Sequence, residues 1–335
     1  MEVTVEEPSV YVGVENYGLV KNGILQKGYG KGVLCYFLHK GDIYVGGYEG
    51  SFVSPNGVVL GQAEDSIATV WKNGDIYWQD PRWRRVGSIG ITGNNDMYVS
   101  GGRADGSLLL KNGVPVSFPY GSKFPYPDSF AVFGNDVFVK LWVYPPPWFI
   151  DCNVAYRFLK NGSWMDDTYY LNIWDTEVFV SNNDVYLMNM GSVYKNGVLL
   201  HNLELPKEVA AAGFDLSTVQ HVGGQLFASG NDVYYAATKK TGAGLVGEAY
   251  AYLWKNGVLQ YNLINKSNYP NNTSFTSMAV HGGDVYLSGQ SRFMNGDDFN
   301  PTVLLWKNGI PLLEYGFSNV IIQPRFYQGK FVFVK

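Results

Sequence analysis

The stretch YLWKNGVLQ (Tyr252–Gln260) sets two short apolar strands around an Asn-Gly pair. A two-residue type I′ turn needs positive φ at both central residues, which Asn tolerates and Gly adopts at no steric cost. Asn-Gly between β-prone apolar residues is therefore a hairpin signal, and this chain repeats it. GLVKNGIL (Gly18–Leu25), TVWKNGDI (Thr69–Ile76), LLLKNGVP (Leu108–Pro115), RFLKNGSW (Arg157–Trp164), SVYKNGVL (Ser192–Leu199) and LLWKNGIP (Leu304–Pro311) are six further copies.

A second motif alternates with the first: KGDIYVGG (Lys40–Gly47), NNDMYVSG (Asn94–Gly101), GNDVFVKL (Gly134–Leu141), NNDVYLMN (Asn182–Asn189), GNDVYYAA (Gly230–Ala237) and GGDVYLSG (Gly282–Gly289). Weaker versions bracket the chain as PSVYVGV (Pro8–Val14) and QGKFVFVK (Gln328–Lys335). A further apolar strand precedes most copies, such as SIGIT (Ser88–Thr92), SFAVF (Ser129–Phe133) or TEVFV (Thr176–Val180). Each unit thus reads as four strands: a, b (the Asp-led strand), c (ending in Lys) and d (after Asn-Gly).

Four-stranded antiparallel units repeating every ~40–50 residues are the signature of a β-propeller. One such sheet cannot bury both of its faces, whereas a ring of them stacks face to face. The expected fold is all-β, a seven-bladed β-propeller forming a single domain over residues 1–335, closed by pairing of its N- and C-terminal strands. Eight candidate b strands stand against seven c–d hairpins, which keeps eight blades as an alternative count. SPNG (Ser54–Gly57) reads as a hairpin tip inside an insertion, and only PKEVAAAGF (Pro206–Phe214) looks helical.

Composition narrows the partners. Charged residues make up 16% of the chain against roughly 25% in average proteins, and aromatic residues another 16%. A net charge of −4 gives no basic footprint, so no nucleic-acid partner is expected. No stretch approaches the ~18 apolar residues of a membrane span. The start MEVTVEEPSV has neither a basic segment nor an apolar run and is not read as a signal peptide. Location stays open between the cell exterior or surface, if a signal once preceded it, and a cytoplasmic or virion-associated place. Cys35 and Cys152 are read as packing residues. No Gly-x-Ser-x-Gly, phosphate-binding glycine loop or Cys–His pair occurs, and His39, His201, His221 and His281 lack metal-ligand spacing. No cofactor or metal is expected, and oligomeric state is not legible.

The KNG units paired with GNDVYVAG-type strands resemble a group of uncharacterised bacterial tandem-repeat propeller proteins, many of them exported. The resemblance covers nearly the whole chain and implies the fold. It carries no catalytic or binding residues, because its motifs are turns and strands. Neither a WD40 Trp-Asp signature nor a kelch pattern is present.

Repetition itself argues against chemistry at the repeated positions. Asp42, Asp96, Asp136, Asp184, Asp232 and Asp284 follow Gly or Asn at each a–b turn and are expected to cap backbone amides. The lysines of KNG are read as structural in the same way. In a four-stranded meander the a–b and c–d turns share one end, while the b–c and d–a connections share the other. The first set is short and uniform; the second is long and irregular, the pattern of a scaffold carrying function on variable loops.

Those loops are aromatic. KLWVYPPPWFIDCN (Lys140–Asn153) holds Trp142, Tyr144, Trp148 and Phe149 beside three prolines. FPYGSKFPYPDSF (Phe118–Phe130) adds Tyr126, and SWMDDTYYLNIWD (Ser163–Asp175) adds Trp164, Asp166, Tyr169, Tyr170 and Trp174. QDPRWRRVG (Gln79–Gly87) adds Trp83 and Arg84. Aromatics beside Asp and Arg suit a sugar platform or a protein hot spot. The candidate ligand-binding set is therefore Trp83, Arg84, Tyr126, Trp142, Tyr144, Trp148, Trp164, Asp166, Tyr169 and Trp174, with a glycan or protein ligand expected on the loop face. RFMNGDDFNP (Arg292–Pro301) lacks calcium-loop spacing and reads as a solvated hairpin tip. Two alternatives remain: a polysaccharide-acting enzyme using Asp166, Asp167, Asp175 and Glu177, and a virion or cell-surface structural component.

Overall fold

The architecture comes from a computed structural model that describes residues 9–14, 18–30, 32–53, 59–103, 106–118, 126–143, 155–165, 170–171, 177–181, 184–189, 192–196, 198–203, 221–240, 249–262, 274–295, 298–315 and 329–334. Blade one comprises β1 (Val10–Val14), β2 (Gly18–Lys21) and β3 (Ile24–Leu25). Blade two is β4 (Gly32–His39), β5 (Asp42–Val53), β6 (Val59–Lys72) and β7 (Asp75–Asp80). Blade three is β8 (Arg85–Ile91), β9 (Met97–Arg103), β10 (Gly106–Lys111) and β11 (Val114–Pro115). Blade four is β12 (Tyr126–Phe133), β13 (Asp136–Val143), β14 (Ala155–Lys160) and an outer edge in two pieces, β15 (Ser163–Trp164) and β16 (Tyr170–Leu171). Blade five is β17 (Glu177–Ser181), β18 (Asp184–Asn189), β19 (Ser192–Lys195) and β20 (Val198–Asn202). Blade six is β21 (His221–Ser229), β22 (Asp232–Lys240), β23 (Ala249–Lys255) and β24 (Val258–Asn262). Blade seven is β25 (Ser274–His281), β26 (Asp284–Asn295), β27 (Asp298–Lys307) and β28 (Ile310–Tyr315), and β29 (Gly329–Val334) follows.

Strand β29 settles the blade count. It pairs antiparallel with β1, Val10 opposite Val334 and Val12 opposite Val332, and so becomes the a strand of blade one. The apparent eighth b strand is this a strand. The ring is a seven-bladed propeller closed by one C-terminal and three N-terminal strands. The a strands of neighbouring blades touch around a complete circuit, β29, β4, β8, β12, β17, β21, β25 and back to β29, which puts them innermost. No helix occurs among the described residues, and the segment Pro206–Phe214 lies outside them. Ser54–Gly57 also lies outside, between β5 and β6, which stay paired as far as Val53 opposite Val59.

The core consists of layers between blades, as the sequence repeat demands. Tyr11, Leu19 and Val33 pack with Val45 and Trp71 between blades one and two. Tyr186, Met188 and Leu203 pack with Tyr235 and Trp254 between blades five and six. Ala236 and Leu253 pack with Met278 and Trp306 between blades six and seven. The tryptophan before Lys-Asn-Gly is thus a plug facing the preceding blade; truncating one such side chain to Ala costs about 3–5 kcal/mol.

One further regularity shapes several of the inner strands. The a–b register slips by a residue between Val33 and Cys35, Val86 and Ser88, Pro127 and Ser129, and Phe275 and Ser277. A bulge bends a strand and brings its carbonyls close to the partner. That is why Gly47 and Gly101 stand opposite: a Cβ would lie 1.7 Å from the Gly32 carbonyl oxygen at Gly47, and 2.1 Å from that of Arg85 at Gly101.

Candidate functional site

The recurring polar residues form a clasp in each of six blades. The turn asparagine takes positive φ (Asn73 51°, Asn256 52°, Asn308 50°), which presents its side chain to the b strand. Its Oδ1 accepts the backbone N–H following the Asp, at 2.8–2.9 Å for Ile43, Met97, Val137, Val185, Val233 and Val285. Its Nδ2 donates to the Asp carboxylate at 2.7–2.9 Å. The preceding lysine reaches the other carboxylate oxygen at 2.7–2.8 Å. That same ammonium lies 5.3–5.8 Å from the centroid of a Tyr or Phe ring two residues beyond the Asp.

This geometry corrects one expectation. The Asn, and not the Asp, caps the b-strand amide; the Asp instead accepts from the Asn amide group and from the lysine. The hydrogen bond from the lysine is the leading cause that holds the Asp96, Asp136, Asp184, Asp232 and Asp284 carboxyls below the ordinary carboxylate range. Each carboxylate is consumed by its own hairpin, so the Asp ring presents strand-locking chemistry and no catalytic pair. His39 and His281 do occupy equivalent positions, each opposite the Asp of its blade, and His39 Nε2 lies 3.1 Å from Asn95 Oδ1 of the next blade.

At the other end the blades differ. The b–c connections run from residues 190–191 in blade five to 144–154 in blade four. In blades two and seven the b–c hairpin instead continues past the a strand, which stops at Gly32 opposite Tyr48 and at Ser274 opposite Gln290. Asn295 lies opposite Asp298 at the end of the blade-seven hairpin, while Asp297 is outside the described residues.

Blade four gathers the candidates that are placed. Tyr126 of β12 lies opposite Trp142 of β13, Trp142 opposite Tyr156 of β14, and Tyr156 opposite Tyr170 of β16. Residues directly opposite share one face of a sheet, so the four aromatic positions make one cross-strand row at the loop end. Strand spacing of about 4.8 Å makes that row about 14 Å long. Tyr156 escaped the sequence reading, although its place four residues before Lys160 could have paired it with Trp142. Tyr144, Trp148, Asp166, Tyr169 and Trp174 lie outside the described residues. Of the four carboxylates considered for catalysis, Glu177 opens β17 opposite Met188, and Asp166, Asp167 and Asp175 lie outside.

Two candidates belong elsewhere. Trp83 is buried between blades two and three, against Val70, Val86 and Val99 among others, and is a packing residue. Its turn is held rigid because Asp80, itself buried, accepts from the Arg82 backbone N–H at 2.9 Å and from Arg82 Nη2 at 2.7 Å. That locks the turn with Trp83 inward, while Arg84 and Arg85 stay exposed on the loop side. Trp164 lies in β15 directly beyond the Asn161-Gly162 turn, opposite Leu159, half-buried on the blade-four core. It sits at the turn end of the sheet because strand d starts immediately after a two-residue turn.

No family model matches the chain, and no curated protein matches it. Among solved structures it is similar to a thermostable family-43 glycoside hydrolase, over 88% of this chain and 96% of that one, at 11% identity and a TM-score of 0.34. So loose a likeness carries no functional argument.

Proposed function

We propose that this propeller is a non-enzymatic binding module that holds a glycan on its loop face, across the strands of blade four. The observation supporting this is the cross-strand row Tyr126, Trp142, Tyr156 and Tyr170. Aromatic faces stack on the C–H faces of sugar rings, and a row built on strands fixes their spacing with little conformational entropy to lose. A row about 14 Å long seats more than one ring. The connections flanking it, residues 116–125 and 144–154, hold five prolines, Pro119, Pro125, Pro145, Pro146 and Pro147, and Pro127 lies inside β12. Proline limits the freedom such loops lose on binding.

The test is a glycan array on the whole chain, with a protein pull-down as a parallel arm, repeated with Trp142→Ala and Tyr156→Ala. A glycan signal lost in both variants, with thermal stability retained, supports the reading. A signal unchanged in both, or partners captured only in the protein arm, contradicts it.

A further inference from the structure

Blade one breaks the clasp rule at a single position. Ser9 stands where six blades have Asp, immediately before Val10, the counterpart of Ile43, Met97 and the other capped residues. Every other part of the clasp is in place. Asn22 has φ 46°, its backbone N–H donates to the Val10 carbonyl at 2.9 Å, and its Oδ1 accepts from the Val10 N–H at 2.8 Å. Lys21 Nζ lies 5.5 Å from the Tyr11 centroid, inside the 5.3–5.8 Å range of the six complete clasps. Ser9 ends at a hydroxyl and supplies no carboxylate to bridge the two.

We propose that Lys21 Nζ and Asn22 Nδ2, over the Tyr11 ring, form a binding site for a carboxylate from an acidic side chain of a partner protein, seated as the Asp side chains are seated in the other six blades. The six internal examples define the ligand chemistry: one oxygen on the ammonium and the other on the amide group, each at hydrogen-bond distance. Asn22 is already held by its two bonds to the Val10 backbone, and the Lys21 ammonium rests over the Tyr11 ring. These donors therefore lose little freedom when the acid arrives. Ile24 and Leu25, the next residues of the same hairpin, are 69% and 46% exposed and offer apolar contact beside the acid. This face lies opposite the glycan row, so the site is independent of the function proposed above. A lone exposed ion pair is weak, so the apolar flank supplies the selectivity.

The experiment titrates the isotope-labelled whole chain with acetate, with glucuronate and with the capped peptide Leu-Asp-Leu, following the side-chain signals of all KNG lysines and asparagines by NMR. The expected result is a saturable shift of the Lys21 and Asn22 signals alone, with the peptide acting at the lowest concentration. The capped peptide Leu-Asn-Leu leaves them unmoved, and the response to every acid is lost in Ser9→Asp, which supplies the carboxylate internally. The proposal is overturned by equal movement at all KNG pairs, or by a response that persists in Ser9→Asp. It is also overturned if glucuronate acts at lower concentration than the peptide. A response that appears only after Glu6 or Glu7, the acidic residues nearest Ser9 in the sequence, is replaced by Gln means that an acid of the chain itself occupies the donors, and equally overturns it.

Discussion

Replacing Asn256 separates the two roles that the turn asparagine plays. Asn256→Gly keeps the left-handed backbone, φ 52°, but removes the Oδ1 bond to the Val233 N–H (2.8 Å) and the Nδ2 bond to Asp232 (2.9 Å). Val233 is buried, so its amide loses its partner away from bulk water, at a cost of about 1–3 kcal/mol. Asn256→Ala loses the same bonds and in addition forces a Cβ-bearing residue without side-chain compensation into left-handed space, about 1–2 kcal/mol more. The expected order is therefore wild type, then Gly, then Ala, with a step between the two variants. Urea unfolding of the three proteins, with the m-values compared to confirm a common transition, measures it. Equal stabilities for Gly and Ala would refute the backbone part of the reasoning. Both variants within about 0.5 kcal/mol of wild type would refute the clasp altogether.

Acid should loosen the ring at its clasps. Asp96, Asp136, Asp184, Asp232 and Asp284 titrate below their ordinary value when folded, so the unfolded chain takes up protons first. Their stabilisation is complete above the unfolded carboxylate pKa, about 3.9, and declines as pH falls through the lower folded values. Thermal melts from pH 6 to pH 3 should show a drop in Tm confined to the acid limb, shallower in Asp232→Asn than in wild type. Two glycines supply a contrast in backbone space. Gly47→Ala drives a Cβ to 1.7 Å from a backbone oxygen and should prevent soluble expression or cost more than about 3 kcal/mol. Gly41→Ala meets nothing within 4 Å and, with φ 86°, should cost only about 1–2 kcal/mol of strain by urea unfolding.

Much of the fold was legible because its information is local. Each Lys-Asn-Gly dictates a turn whose dihedrals no other neighbouring pair adopts as readily, and seven such turns count the blades. The final strand was harder. QGKFVFVK reads like a b strand, and only its pairing with Val10–Val14 makes it the a strand that closes the ring. Loop residues were least legible, since their sequence states what they contain and not which way they face. Trp83 and Arg84 are adjacent in sequence, yet one is buried and the other exposed, a division set by the Asp80–Arg82 lock that no motif announces. The row in blade four is invisible to any single segment, because Tyr126, Trp142, Tyr156 and Tyr170 come from four strands and meet only through register.

The most direct test of the account is a hydrogen-exchange footprint of the whole chain with a glycan that scores on the array, peptide by peptide around the ring. Added protection concentrated in the peptides that contain Tyr126, Trp142, Tyr156 and Tyr170, with the seven Lys-Asn-Gly turns unchanged, is the predicted result. Protection centred on the Lys-Asn-Gly end, with blade four's loop end unaffected, would contradict it.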